Sequence, residues 1–421
     1  MLVSPFVHRM RILVIVGILA CASAAFAQPA TPRLSLVPDL RIDAKQLGLQ
    51  RDPLVAIGPN GQIVATMRFG FMGIKAFDST GKDLGWKLST GRSDESEIWY
   101  PTAFGWIRGT NTMWVGDAGY KQVVLVNDQG KVTKSIENPS WVHPSWGERR
   151  KYPLFARMEP IAVYGDESML IVPTRERSLI DTPGYDRSLL HVLRTTWSGA
   201  IQRTVGLFPA NDGRVFLNSK GCNHTIAVPM AARSYWAASV DGTHIVSVSP
   251  SATRADSGVL RVVALNDRGD TVFSRRYQQP VVPVPQSAVD AFLATIRPCG
   301  SVTAEQLRDS AIKHVPMYKS MLLGVLAGRD HSTWVTMRLP SDTAKERIAL
   351  ILDPRGDVVG TVTLPIDHTL VAADRDHLWA LELGRIRAPI ALVRFKVEAT
   401  TAPPTRSGRG AASSKPSRPP A

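Results

Sequence analysis

Leu54-Val-Ala-Ile-Gly-Pro-Asn-Gly-Gln-Ile-Val-Ala-Thr66 is an apolar run, a turn and a second apolar run. Side chains along a strand point alternately to opposite faces, and Pro-Asn-Gly supplies the backbone angles that reverse a chain. The stretch therefore reads as a β-hairpin. A second hairpin follows at once, Gly73 to Leu84, turning at Asp78 to Gly81.

The same two-hairpin unit recurs about six times. Its inner hairpins are Leu54 to Thr66, Thr102 to Asp117, Ile161 to Val172, Tyr235 to Ser249, Leu322 to Met337 and Thr369 to Leu381. Its outer hairpins are Ile74 to Leu84, Lys121 to Ile136, Leu189 to Val205, Leu260 to Phe273 and Ile348 to Val362. The sixth unit has one outer strand, Ile390 to Val397, and lacks a fourth. Leu34 to Ile42 is an unpaired strand at the other end of the chain, and Pro38 within it suits a sheet edge. Four antiparallel strands repeated six times predict an all-β, six-bladed propeller, closed when the N-terminal strand completes the last blade. The expected organisation is a signal peptide at 1–27, a linker at 28–33, the propeller at 34–398 and a basic, disordered tail at 399–421.

The units resemble those of six-bladed propellers of the NHL and gluconolactonase-like kind, including secreted bacterial ones. Val55-Ala-Ile-Gly-Pro-Asn-Gly61, Ala76-Phe-Asp-Ser-Thr-Gly81 and Leu350-Ile-Leu-Asp-Pro-Arg-Gly356 carry the resemblance, which spans residues 34 to 398. It implies the ring and assigns no role to any residue.

Three segments interrupt the repeat: Asn138 to Arg157, Ser178 to Arg187, and Gln286 to His314. The last has helical spacing, Val289, Phe292, Leu293 and Ile296, then Leu307, Ala311 and Ile312. Ser301-Val-Thr-Ala-Glu305 offers the second helix an N-cap.

Arg9 and Arg11, the apolar run Ile12 to Ala20 and Ala25-Phe-Ala27 form a secretory signal, which predicts a periplasmic or secreted protein. Lipoprotein processing at Cys21 is the alternative. No later run is long enough for a membrane span. Export leaves Cys222 and Cys299, which either form a disulfide from the fourth repeat to the insertion or remain separate thiols.

The chain of 421 residues carries a net charge of +14. Without Arg9, Arg11, Arg406, Arg409, Lys415 and Arg418, about +8 remains for the globular part. That balance favours anionic partners, but no nucleic-acid-binding module is present. Nucleophile elbows, zinc-protease motifs, phosphate loops and dinucleotide fingerprints are absent.

In a propeller, loops between blades and between second and third strands share one face around the axis. That topology places Arg68, Asp117, Arg157, Arg175, Arg233, Lys319 and Arg338 there, with Trp141, His143, Trp146 and Tyr152 from the long loop. Six of those seven charged residues are cationic, which predicts a mouth for carboxylate, sulfate or phosphate groups. The aromatic residues suit sugar or peptide stacking. The expected function is a binding or scaffold module for a protein, peptide, glycan or anionic ligand, with no cofactor and no metal. The alternative is a lactonase-like hydrolase or lyase using a divalent cation such as calcium. It would need Asp117, Glu159, His368 and Glu382 to converge on the axis.

Overall fold

In a computed structural model, the structure describes residues 31–50, 53–67, 73–90, 98–137, 157–174, 189–209, 214–219, 222–228, 231–250, 258–341, 343–384 and 387–399. The chain opens with β1 (Leu34–Asp43) and the single helical turn α1 (Ala44–Leu47). Blade one is β2 to β5 (Pro53–Ile57, Ile63–Met67, Ile74–Phe77, Asp83–Leu88). Blade two is β6 to β9 (Pro101–Trp106, Met113–Asp117, Gln122–Val126, Val132–Glu137). Blade three is β10 to β13 (Arg157–Val163, Ser168–Thr174, Leu189–Thr196, Ile201–Pro209). An extra hairpin, β14 and β15 (Arg214–Ser219, Cys222–Ala227), comes next. Blade four is β16 to β19 (Tyr235–Ala238, His244–Pro250, Val259–Asn266, Thr271–Gln278). Helices α2 (Gln286–Ala294) and α3 (Ala304–Ile312) precede blade five, β20 to β23 (Leu322–Ala327, Thr333–Arg338, Glu346–Leu352, Val358–Pro365). Blade six is β24 (His368–Ala373), β25 (His377–Leu383), β26 (Pro389–Ala399) and, outermost, β1.

The ring is therefore closed by the first strand pairing with the last. The register runs from Leu34 opposite Ala399 to Asp43 opposite Ala391, and shifts between Pro38 and Leu40. A proline cannot donate to a ladder, and the outermost position with a bulge is where it costs least.

Blade-to-blade packing supplies the core. Between blades four and five, Val246, Val248 and Leu260 meet Leu322, Val335 and Leu352. Between blades five and six, Trp334, Ala349 and Ile351 meet Ala373, Leu378 and Ala380. Each sheet has two apolar faces and buries both only by having a neighbour on each side.

The inner-hairpin turns gather at one end of the ring and bridge the axis. The Trp106 N–H donates to the Val240 carbonyl (2.9 Å), passing over blade three, and the Tyr164 hydroxyl donates to the Gly242 carbonyl (2.9 Å). Arg329 Nη2 donates to the Pro59 carbonyl (2.7 Å), linking blades five and one. Three of these turns share a signature: Asp166-Glu-Ser168, Asp241-Gly-Thr243 and Asp330-His-Ser332. In each, the carboxylate accepts from the hydroxyl and the N–H two residues on. Gly242 has φ +68°, and a Cβ there would lie 2.1 Å from Ala162 Cβ, so the close approach requires glycine.

Two features depart from the expectations. The hairpin β14–β15 was not foreseen, and it moves Cys222 out of the fourth repeat into an insertion of its own. Ile226 in β15 and Val228 just after it pack on Phe292, Ile296, Leu307 and Ala311, forming a small cap with its own apolar core. The foreseen helices are both present. A capping box holds α3: Gln306 N–H donates to Thr303 Oγ1 (3.2 Å) and Thr303 N–H to Gln306 Oε1 (3.1 Å). Cys299 packs against the cap core and is disulfide-bonded. The Cys222 side chain lies outside the described residues.

Candidate functional site

Strand direction fixes which residues share the end of the ring opposite the bridging turns. Arg233 and Lys319 precede innermost strands β16 and β20, and Arg338 ends β21. These three line one cavity of ≈ 190 Å³ between blades four and five, with Tyr235, Ser320 and Met321. The stems that connect the cap to blades four and five pass through this wall. Ala231 belongs both to the cap core and to the cavity lining.

Local structure explains the placement. The Lys319 N–H donates to the Val282 carbonyl (2.7 Å) and the Arg338 N–H to the Met321 carbonyl (2.7 Å), which pins the main chain at the rim. Arg233 and Arg338 are exposed and have no acidic partner among the described residues. Lys319 is half-buried. The Ser320 hydroxyl is buried with no hydrogen-bond partner. Three cations around one unpaired hydroxyl produce a positive concavity able to hold an oxyanion.

The four residues nominated for metal chemistry are engaged elsewhere or remain separate. Asp117 is fully buried, and its carboxylate accepts from the N–H groups of Trp99 (3.0 Å), Tyr100 (2.7 Å) and Gly119 (2.9 Å). It organises the loops of blade two rather than facing the mouth. Glu382 is ion-paired with Arg41, and His368 Nδ1 lies 2.8 Å from Asp367 Oδ1. Glu159, half-buried on β10, has a partner of its own. Among the described residues, no three His, Cys, Asp or Glu side chains group to hold a metal ion. Arg68, Arg175, Trp141, His143, Trp146 and Tyr152 lie outside the described residues, and Arg157 is described by its main chain alone.

Sequence reading missed two groups. His244 and His331 stack at the turn end with ring centroids 5.7 Å apart. His244 Nε2 lies 3.1 Å from Thr333 Oγ1, and His331 Nε2 lies 2.9 Å from Thr243 Oγ1. Burial, reinforced by His331, pushes the His244 imidazole down to about 4. Nothing in the repeat pattern distinguishes this pair, because the two histidines are in different blades. The second group is Arg347 on β22. It occupies the same row as Ala349 and Ile351, and this inward parity was the available signal.

No protein-family model matches the chain, and no curated protein sequence does. Solved structures do resemble it. A member of the DUF4221 family from Bacteroides vulgatus is 10% identical, covering 88% of this chain and 99% of its own, with TM-score 0.49. The calcium-binding protein regucalcin from Agrobacterium tumefaciens is 10% identical, covering 88% and 98%, with TM-score 0.37. A gluconolactonase from Xanthomonas campestris is 13% identical, covering 88% and 99%, with TM-score 0.34. These likenesses are of fold. Among the described residues no helix is long and apolar enough to cross a membrane.

Proposed function

We propose that the protein is an exported binding propeller that recognises an anionic group of a peptide or glycan at its mouth. The observation that supports this reading is the cavity lined by Arg233, Lys319 and Arg338, where both arginines lack an acidic partner among the described residues. At ≈ 190 Å³ the cavity is smaller than a small-molecule pocket, which usually runs to roughly 300–1,000 Å³. It suits one charged terminus of a larger partner whose remainder rests on the surrounding loops.

Fluorescence anisotropy with a labelled tetraglutamate peptide and a labelled tetragalacturonate tests this reading. One of the two binds the full chain, more weakly as salt rises, and Arg233→Ala weakens it at least about tenfold, the effect of removing one charge-assisted contact. Binding that ignores both salt and Arg233→Ala overturns the assignment.

A further inference from the structure

Among the described residues, Arg347 alone has two side-chain nitrogens that are buried and unpartnered. They are Nε and Nη2. These two N–H groups form one edge of the guanidinium and point the same way, the fork that grips a carboxylate with two parallel hydrogen bonds. The other buried arginine with an unpartnered nitrogen, Arg329, has Nη2 on the Pro59 carbonyl and Nη1 near Asp374 at 3.8 Å. Of these two buried arginines, Arg347 is the one that keeps a whole fork empty.

The surroundings reinforce the point. Arg347 lies directly opposite Arg338 across β21 and β22. Residues paired in this way share a face, and like charges so placed repel. The shared face is the one that carries Trp334, Ala349 and Ile351 against blade six. On blade six, His368 and Glu382 are themselves opposite one another and share a face with Leu378 and Ala380, which pack on blade five. Glu382 is held by Arg41 and His368 by Asp367, so neither is the missing partner. Asp367 influences Arg347 from a distance: burial pushes the guanidinium below its ordinary value and Asp367 pulls it back. No hydrogen bond joins them.

We infer that the seam between blades five and six, at the mouth end, is a second binding site, in which the Nε/Nη2 edge of Arg347 takes a ligand carboxylate beside Arg338. An orphaned buried N–H costs about 1–3 kcal/mol, and one carboxylate satisfies two at once while separating two like charges. Asp367, which acts on Arg347, favours a single negative charge over a dianion such as sulfate. Arg338 also lines the cavity between blades four and five, so the two sites are neighbours at the rim of blade five, and Arg347 is the residue that distinguishes this one.

The test is thermal unfolding of the full chain in sodium acetate against sodium chloride at equal ionic strength, with sodium sulfate as a third arm. Acetate raises the melting temperature of the wild type saturably, and sulfate does so less. Arg347→Lys keeps the charge and loses the fork, and needs at least about tenfold more acetate for the same rise, as expected when a bidentate contact becomes a point charge. Arg347→Met loses most of the response, keeping only what the cavity between blades four and five contributes, and is at least as stable as the wild type in chloride, because its orphaned donors are gone. Arg233→Ala keeps the part of the acetate response that Arg347→Met removes, which separates this site from the cavity between blades four and five. The inference is overturned by an acetate effect equal in wild type and Arg347→Lys, by no effect in the wild type, or by an Arg347→Met protein less stable than the wild type in chloride.

Discussion

The two ends of the ring use the same residue types in opposite ways. At the turn end, charge is consumed internally. Arg194 pairs with Asp166 (2.7 Å), donates to Ser168 Oγ (3.0 Å) and stacks over the Tyr164 ring at 4.5 Å. Asp241 and Asp330 close turns, and Arg329 is shared between Pro59 and Asp374. At the mouth end, Arg233 and Arg338 have no acidic partner among the described residues and Arg347 has an empty fork. Arg194 at the turn end thus stabilises the ring, whereas Arg233, Arg338 and Arg347 at the mouth leave binding capacity unused. The difference is what separates a structural charge from one available to a partner.

The comparison breaks if stability responds equally at both ends. Arg194→Ala has the largest effect at neutral pH. It strands Asp166, leaves Ser168 short of a donor and strips a cation from Tyr164, for a loss of about 2 kcal/mol: Arg194 is largely buried but Asp166 is 62% exposed, so solvent screens the pair and the loss is below that of a fully buried one. Urea unfolding measures it, and a loss as small as that of Arg233→Ala, about 0.5 kcal/mol or less for an exposed unpaired side chain, would erase the contrast.

Acid sharpens it next. The His244 imidazole is held at about 4 in the folded ring against 6.5 in the unfolded chain. A depressed histidine means that the unfolded chain binds the extra proton first. Stability is therefore unaffected above about pH 6.5 and falls as pH drops from there towards 4, by up to roughly 3 kcal/mol at about 1.4 kcal/mol per pH unit. His244→Gln flattens that slope in unfolding midpoints measured across the window. A slope unchanged in the variant would remove His244 from the account.

The smallest effect on the ring belongs to the cap. Cys299 is disulfide-bonded, and we expect Cys222 as its partner, to be checked by peptide mapping without reduction. Reduction speeds hydrogen exchange in α2 and α3 and leaves the amides of β20 to β22 protected. Loss of protection throughout blade five would show that cap and ring unfold together.

Much of the fold was legible because each level of the chain repeats one message. The alternation in Leu54 to Thr66, the Asp-Pro-Arg-Gly turn at 353–356 and the spare strand with Pro38 all specify blades and their closure. The hairpin of β14 and β15 was not legible. Its strands mix Asn, Ser and His with apolar residues in no regular alternation, and the surface it needs comes from helices some sixty positions later. The mouth was legible by position only. Strand-end cations can be placed on a face by topology, but whether each meets an acid depends on neighbours from other blades. Asp117 shows the cost: its place at the end of β7 suggested the mouth, while three N–H groups from its own blade hold it. Arg347 erred the other way, an arginine in an inward row that alternation alone exposes.

The pairing of β1 with β26 brings Leu34 against Ala399, positions 365 apart. A chain made or threaded from its N-terminus has its first strand waiting until the last one arrives. Five blades have local hairpins to fold on, while the sixth is assembled from both ends of the sequence, and closing so long a loop is slow relative to forming a hairpin. Until then the ring is an open arc with two exposed blade faces. Closure needs both strands, so a chain truncated before β26 leaves β1 without its ladder partner.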